Sequence, residues 1–280
     1  MVFYIVPAVI VVLLLLYVLS LRGKGHKPGF YGLAAYDYAH RGLHDSEKGV
    51  PENSLAAFRL AVENGYGAEL DVHLSKDGRL VVMHDESLLR TAGVDKNICD
   101  CTAEELDRLT LEGTGERIPY LEEVLPLFEG KTPLIVEIKA FRKNHAVLTE
   151  RVCALLDQYP DLQFCMESFD PRVLLWLKKH RPEVIRGQLS QNFIRSRSGL
   201  SLPLAWLLTN LCTDFLTTPH FIAYCFQDRK QPALRLSKKL WGVQEFSWTL
   251  RSVAEVSEAK QRGALPIFEH CRPNKEKRHL

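Results

Sequence analysis

From Ala35 onward eight short apolar runs of strand length alternate with longer segments of helical periodicity, and few folds accommodate that alternation. The strand-like runs lie at 36–40, 68–73, 134–139, 162–168, 184–189, 221–226, 243–248 and 265–269. Helical segments are read at 54–64, 121–128, 145–158, 171–180, 231–239 and 252–262, the first with Ser54 as its N-cap. Such units over about 245 residues predict a (β/α)8 TIM barrel, which typically needs roughly 250. The competitor, a doubly wound sheet, predicts a glycine-rich phosphate loop after the first strand, and Gly42 alone does not make one. A further strand at 79–84, after the Lys76-Asp77-Gly78 turn, predicts a hairpin with the second strand. Thr102-Ala-Glu-Glu105 has the pattern of a capping box.

The segment before the barrel is of another kind. Residues 2–21 carry no charge. At about 1.5 Å per residue a helix of that length spans roughly 30 Å, the thickness of a bilayer core. No Lys or Arg precedes the run, whereas Arg22, Lys24 and Lys27 follow it, the reverse of a signal peptide. The expectation is a transmembrane anchor over 1–22, a flexible Gly/Lys/Pro linker over 23–34, and the barrel over 35–280. The basic flank predicts a single-pass membrane protein with its barrel in the cytoplasm. Seven cysteines, odd in number and without zinc-ligand spacing, agree with a reducing compartment. A net charge of +2 gives no global basic field, so no nucleic-acid partner is predicted. The apolar stretch 203–216 reads as a buried barrel helix; the alternative is a second membrane-touching surface, too short to span.

Chemistry concentrates at strand ends. Glu69 and Asp71 are two residues apart on one strand, so their carboxylates leave the same face, while Leu70 and Val72 leave the other. Glu137 repeats the geometry on the next barrel strand, with Lys139 on its own face. Taken pairwise, these acids read as salt-bridge partners of Arg41 and Lys139. Together, three converging carboxylates suit one hard divalent cation with oxygen ligands, Mg2+ or Ca2+. His40 and His84 each end an apolar run, and imidazole titrates near neutrality, so one can accept a proton while the other donates one. His44, His73, His145, His180 and His220 lack an accompanying pattern and are read as structural; His73 shares the face of Glu69 and Asp71.

The ordered series Ala-His40-Arg41-Gly42, Pro51-Glu52-Asn53-Ser54, Glu69-Leu-Asp71-Val, Leu-Val-Val-Met-His84-Asp85, Ile118-Pro-Tyr-Leu-Glu-Glu123-Val-Leu, Val-Glu137-Ile-Lys139, Glu167-Ser168-Phe169 and Trp248-Thr249 resembles the glycerophosphodiester phosphodiesterase family over about residues 36–270. The resemblance implies a TIM barrel with a small insertion after strand 2, here about 86–117. It implies one divalent cation on Glu69, Asp71 and Glu137, and His40 and His84 as the acid–base pair. Arg41 and Lys139 would sit at the phosphate, Glu52 in a supporting role, and Trp248 as an aromatic wall at the substrate. The chain departs from the family in ending its last strand on Phe268-Glu269-His270, where an aspartate is usual.

The predicted activity is metal-dependent hydrolysis of glycerophosphodiesters to glycerol phosphate and an alcohol. The alternatives are a membrane-associated lysophospholipase D and a non-catalytic membrane-tethered barrel that binds a phosphodiester or a partner.

Overall fold

Each barrel strand sends its residues alternately to two destinations. In β2 (Gly67–Leu74), Ala68, Leu70 and Val72 join the apolar layer beneath the helices, which leaves Glu69, Asp71 and His73 on the inner face. The computed structural model describes residues 2–25 and 30–274, apart from the side chains of residues 2, 3 and 31. Lys27 and the last six residues lie outside that range.

Eight parallel strands close the barrel. β1 (Tyr38–Ala39) pairs with β2 on one side and β9 (Leu265–Phe268) on the other. Between them run β4 (Leu134–Ile138), β5 (Phe164–Ser168), β6 (Arg186–Ser190), β7 (Phe221–Cys225) and β8 (Gln244–Leu250). β3 (Leu80–Val82) is the predicted hairpin partner, antiparallel to β2 with Val72 opposite Val82. The interior is filled by Tyr38, Ile135, Cys165, Leu189, Phe221 and Phe246 among others. Gly187 is required there: a Cβ would stand 2.0 Å from the Phe221 ring.

The outer helices match the periodicity closely. They are α3 (Leu55–Glu63), α6 (Leu121–Phe128), α7 (His145–Leu156), α8 (Pro171–His180), α11 (Pro232–Trp241) and α12 (Val253–Gln261). Ser54 caps α3 by accepting from Ala57 N at 3.1 Å. The segment after β3 carries α4 (Leu89–Ala92) and α5 (Ala103–Leu106), the latter with its capping box formed. It has a small core of its own around Met83, Leu88, Ile98 and Leu106.

Two N-terminal expectations are modified. α1 (Val2–Ser20) is a helix with large exposed side chains between Tyr4 and Leu16. Its last turn is committed to the barrel: Leu21 is fully buried in a cluster with Ile222, Tyr224 and Leu234, and Trp241 Nε1 donates to Val18 O at 3.4 Å. Apolar length spent on protein is unavailable to lipid, and among the described residues no helix is long and apolar enough to cross a membrane. Nor is the described part of 23–34 a free tether. Gly25 lies so close to Gly242 that a Cβ would meet its carbonyl oxygen at 2.3 Å. α2 (Phe30–Ala34) seats Leu33 in the barrel interior.

The stretch 203–216 is not one buried helix. It is two short ones, α9 (Leu202–Thr209) and α10 (Asp214–Thr217), and α9 buries only Ala205 and Thr209. A helix apolar on every side cannot bury all of them against one barrel.

Candidate active site

The parallel register sets Asp71 beside Glu137, and Glu137 beside Glu167, along one level of the barrel. Glu69 follows on the same inner face of β2, two residues earlier. Ligand oxygens of Glu69, Asp71 and Glu137 lie within 4.8 Å of one another, and all three residues are buried. Cations already meet this cluster: Lys139 Nζ is 3.0 Å from Asp71 Oδ1 and 2.8 Å from Glu137 Oε1. Arg41 donates its main-chain N–H to Glu69 Oε2 at 3.0 Å, while its guanidinium divides between Glu52 at 3.0 Å and Asp71 at 3.7 Å. Both sequence readings of the acids are thus present in the geometry, ion pairs and a convergent oxygen cluster.

Charge decides whether room remains for a metal. Three buried carboxylates face Lys139 and an Arg41 shared with Glu52. Burial, then the charges of Asp71, Glu137 and Glu167, push the Glu69 carboxyl well above its usual range. Burial pushes Glu137 up to about 7, against the pull of Lys139 and with a push from Asp71. Asp71 goes the other way: burial opposes its charge, but Lys139, His84 and Arg41 hold it well below. Burial works against the Lys139 ammonium, yet Asp71 and Glu137 raise its pKa. The cluster therefore has more carboxyl groups than its cations can hold ionised, all of them oxygen donors, and a hard divalent cation that displaces their protons fits that donor set.

The loop after β1 is shaped for this site. Arg41 and Asn53 both adopt left-handed backbone, φ 54° and 53°, unusual for residues with a side chain. Gly42, at φ 80°, has no room for a Cβ, which would stand 2.8 Å from the Cβ of Ala57. The turn places Asn53 Nδ2 on Asp71 Oδ2 at 2.8 Å and Asn53 N on Arg41 O at 2.9 Å.

Each of the two histidines has a carboxylate on its Nδ1 edge. His40 Nδ1 is 2.6 Å from Glu269 Oε2, and His84 Nδ1 is 2.5 Å from Asp85 Oδ1. Those carboxylates are held in turn: Arg251 Nε donates to Glu269 at 2.7 Å, and Arg90 Nε to Asp85 at 2.6 Å. Arg90 also reaches Glu52 at 2.6 Å, joining the insertion to the first loop. Burial lowers His40 to about 4, overriding the Glu269 hydrogen bond, and burial likewise lowers His84. Both rings are therefore neutral near pH 7, with Nδ1–H facing a carboxylate and Nε2 left as the acceptor.

His40, Arg41, Glu52, Glu69, His84, Glu137, Lys139 and Trp248 all line one cavity of about 830 Å³, and Asp71 lies beneath it against Lys139. Trp248 is fixed by donating Nε1–H to Ala223 O at 2.9 Å and meets Phe169 edge-on at 5.7 Å. The peptide bond after Trp248 is cis. His73 is not part of the cavity wall. It stands 2.8 Å from Glu86 and donates from Nε2 to His84 O at 3.0 Å, so it supports the backbone that carries His84.

Three groups escaped the sequence reading. Glu269 was noted only as a departure, Asn53 sat unassigned within a motif, and Glu167, buried with Oε2 lacking a hydrogen-bond partner among the described residues, had no role.

Residues 40–270 match the profile of the "Glycerophosphoryl diester phosphodiesterase family". A glycerophosphodiester phosphodiesterase of Caldanaerobacter subterraneus subsp. tengcongensis is 38% identical over 162 residues, 55% of this chain and 65% of that protein. Human lysophospholipase D GDPD1 is 39% identical over 121 residues, 39% of this chain and 37% of that protein. The aligned parts thus span less than two thirds of these relatives. An Oleispira antarctica phosphodiesterase, solved with the product sn-glycerol-3-phosphate, superposes with a TM-score of 0.69 at 25% identity, over 85% of this chain and 94% of that one.

Proposed function

The chain belongs to the glycerophosphoryl diester phosphodiesterase family, and on that premise we propose that it is a phosphoric diester hydrolase releasing glycerol phosphate and an alcohol from glycerophosphodiesters. The observation that carries this reading is that two carboxylate-buttressed histidines, His40 and His84, line one cavity with Glu69, Glu137 and Lys139, above Asp71. The relative solved with sn-glycerol-3-phosphate supports the product class.

In the reaction a water oxygen bonds to phosphorus as the bond from phosphorus to the leaving alcohol breaks. One histidine, neutral, takes the proton from water at Nε2, and the other, entering the cycle in its minority form with a proton on Nε2, gives that proton to the departing alkoxide; the two rings then exchange the gained and lost protons with solvent. Lys139 and Arg41 stand where they offset charge on the phosphoryl oxygens, and Glu52 braces Arg41. Trp248 and Phe169 give the alcohol side an apolar wall. Glu69, Asp71 and Glu137 would hold Mg2+ or Ca2+, which supplies Lewis-acid polarisation of a phosphoryl oxygen when bound. The test is release of glycerol phosphate from glycerophosphocholine or glycerophosphoethanolamine by the purified chain with either cation. No release with either sinks the proposal.

A second substrate reading, a lysophospholipid, is supported by the similarity to lysophospholipase D and by the exposed apolar residues beside the barrel. Side-by-side choline release from lysophosphatidylcholine and glycerophosphocholine separates the two. We also propose that α1, although no described helix is long and apolar enough to cross a bilayer, inserts its exposed apolar run into a membrane with the barrel on the cytoplasmic side, on that exposed surface, the Arg22 and Lys24 that follow it and seven free cysteines. Extraction of the chain from cell membranes by alkaline carbonate would refute insertion.

A further inference from the structure

The described residues outside α1 expose thirteen large apolar side chains, and eight of them fall within 194–216. Leu202 is 73% exposed and Trp206 49%, with Ile194, Leu204, Leu207 and Phe215 beside them in sequence. That density on one segment of a soluble barrel marks an interaction surface.

Its position and charge indicate the partner. The segment leaves the rim of the catalytic cavity, where Gln191 lines the wall and Phe193 stacks edge-on against Phe169 at 6.0 Å. It is pinned there by Asn192 N to Asp228 Oδ2 at 2.9 Å and Phe193 N to Thr209 Oγ1 at 3.0 Å. Its far end, α10, packs beside α1. Arg195 and Arg197 are exposed at the start of the segment, Arg195 paired with Asp228 at 2.8 Å, and the segment's one carboxylate, Asp214, is fully buried. An apolar face with an arginine edge and no exposed acid complements anionic lipid headgroups over acyl chains.

We propose that the 194–216 face, α9 foremost, docks on the surface of an anionic bilayer, with Leu202 and Trp206 immersed at the headgroup boundary and the cavity rim brought beside the lipid. It deepens the lysophospholipid reading by naming the surface that would bring such a substrate to the cavity, and rests on that reading for turnover alone.

The full chain is reconstituted in phosphatidylcholine–phosphatidylglycerol vesicles with and without bromine on the acyl chains. Brominated lipid quenches an emission component in the parent that the Trp206→Phe variant lacks. Equal quenching in the two overturns the proposal. So does a blue-shifted Trp206 component that bromine leaves untouched, the sign of a second copy of the chain on this face. A Leu202→Glu/Trp206→Glu variant loses about tenfold of its turnover on lysophospholipid in vesicles and keeps its turnover of dissolved glycerophosphocholine. Equal effects on both substrates overturn the docking assignment. A parent inactive on both sinks the phosphodiesterase reading, and quenching then decides docking by itself.

Discussion

Glu269 closes on the Nδ1 edge of His40 at 2.6 Å, which leaves Nε2 as the edge turned toward Glu69, 3.9 Å away. A carboxylate on one imidazole nitrogen selects the tautomer and fixes the plane of the ring. Burial opposes the Glu269 charge, but the hydrogen bond with His40, with His44 at 3.9 Å and Arg251 beside it, holds its pKa well below the usual range.

Glu269→Gln is expected to lower kcat by about 10-fold to 10²-fold while leaving KM nearly unchanged. The sign of the pH effect follows from His40. Glu269 raises the His40 pKa against burial, so its loss moves the acidic limb of the rate profile associated with His40 to lower pH. Glu269→Asp, with the carboxylate on a shorter stem, should recover part of kcat. A profile identical to that of the parent would assign Glu269 a structural part only.

His40→Ala and His84→Ala are each expected to reduce kcat by about 10²-fold or more, the scale of a positioned acid or base. The double variant should fall little further, because the two act on one proton inventory. The check is turnover at saturating glycerophosphodiester with the thermal midpoint measured alongside. Activity retained in both single variants removes the acid–base assignment.

The barrel was legible because its strands are buried on both faces and read as apolar runs; the strand predicted at 134–139 differs from β4 by one residue. Glu69, Asp71 and Glu137 were legible for the same reason, as acids standing at inward positions of such runs. Periodicity is blind to what an apolar helix faces, so 203–216 was given to the core and Leu21 to the membrane. Contacts between loops were equally hidden. Asp85 adjoins His84 in sequence, but Arg90 lies in the insertion, and nothing local announces that it bridges Asp85 and Glu52. The role of Glu269 needs barrel closure, since 229 residues separate it from His40.

Cation binding should depend on pH through Glu137. Its pKa, pushed up to about 7, means that a proton competes for the site below that value. Affinity for Ca2+ or Mg2+ is therefore expected to be higher at pH 8 than at pH 6, changing by up to about tenfold per pH unit below 7. Titration calorimetry of the purified chain measures it, and Glu69→Ala should abolish the heat. Affinity that does not change with pH, or heat that survives in Glu69→Ala, would remove this cluster as the cation site.

Stability should carry a separate signature from Asp214, which is fully buried, with no hydrogen-bond partner for either carboxylate oxygen among the described residues. Burial alone pushes its pKa well above the usual range. Above the unfolded aspartate pKa of about 3.9 the folded chain therefore holds this proton more tightly than the unfolded chain does. A raised folded-state pKa contributes stability that is complete below about pH 4 and is lost as pH rises toward the folded value, by about 1.4 kcal/mol per unit. Asp214→Asn keeps the shape without the titration. It should match the parent in denaturant midpoint at pH 4 and exceed it at pH 8, by a margin that grows between those limits. The same margin at both pH values would show that the carboxyl is ionised in the folded chain, and that a partner for it exists.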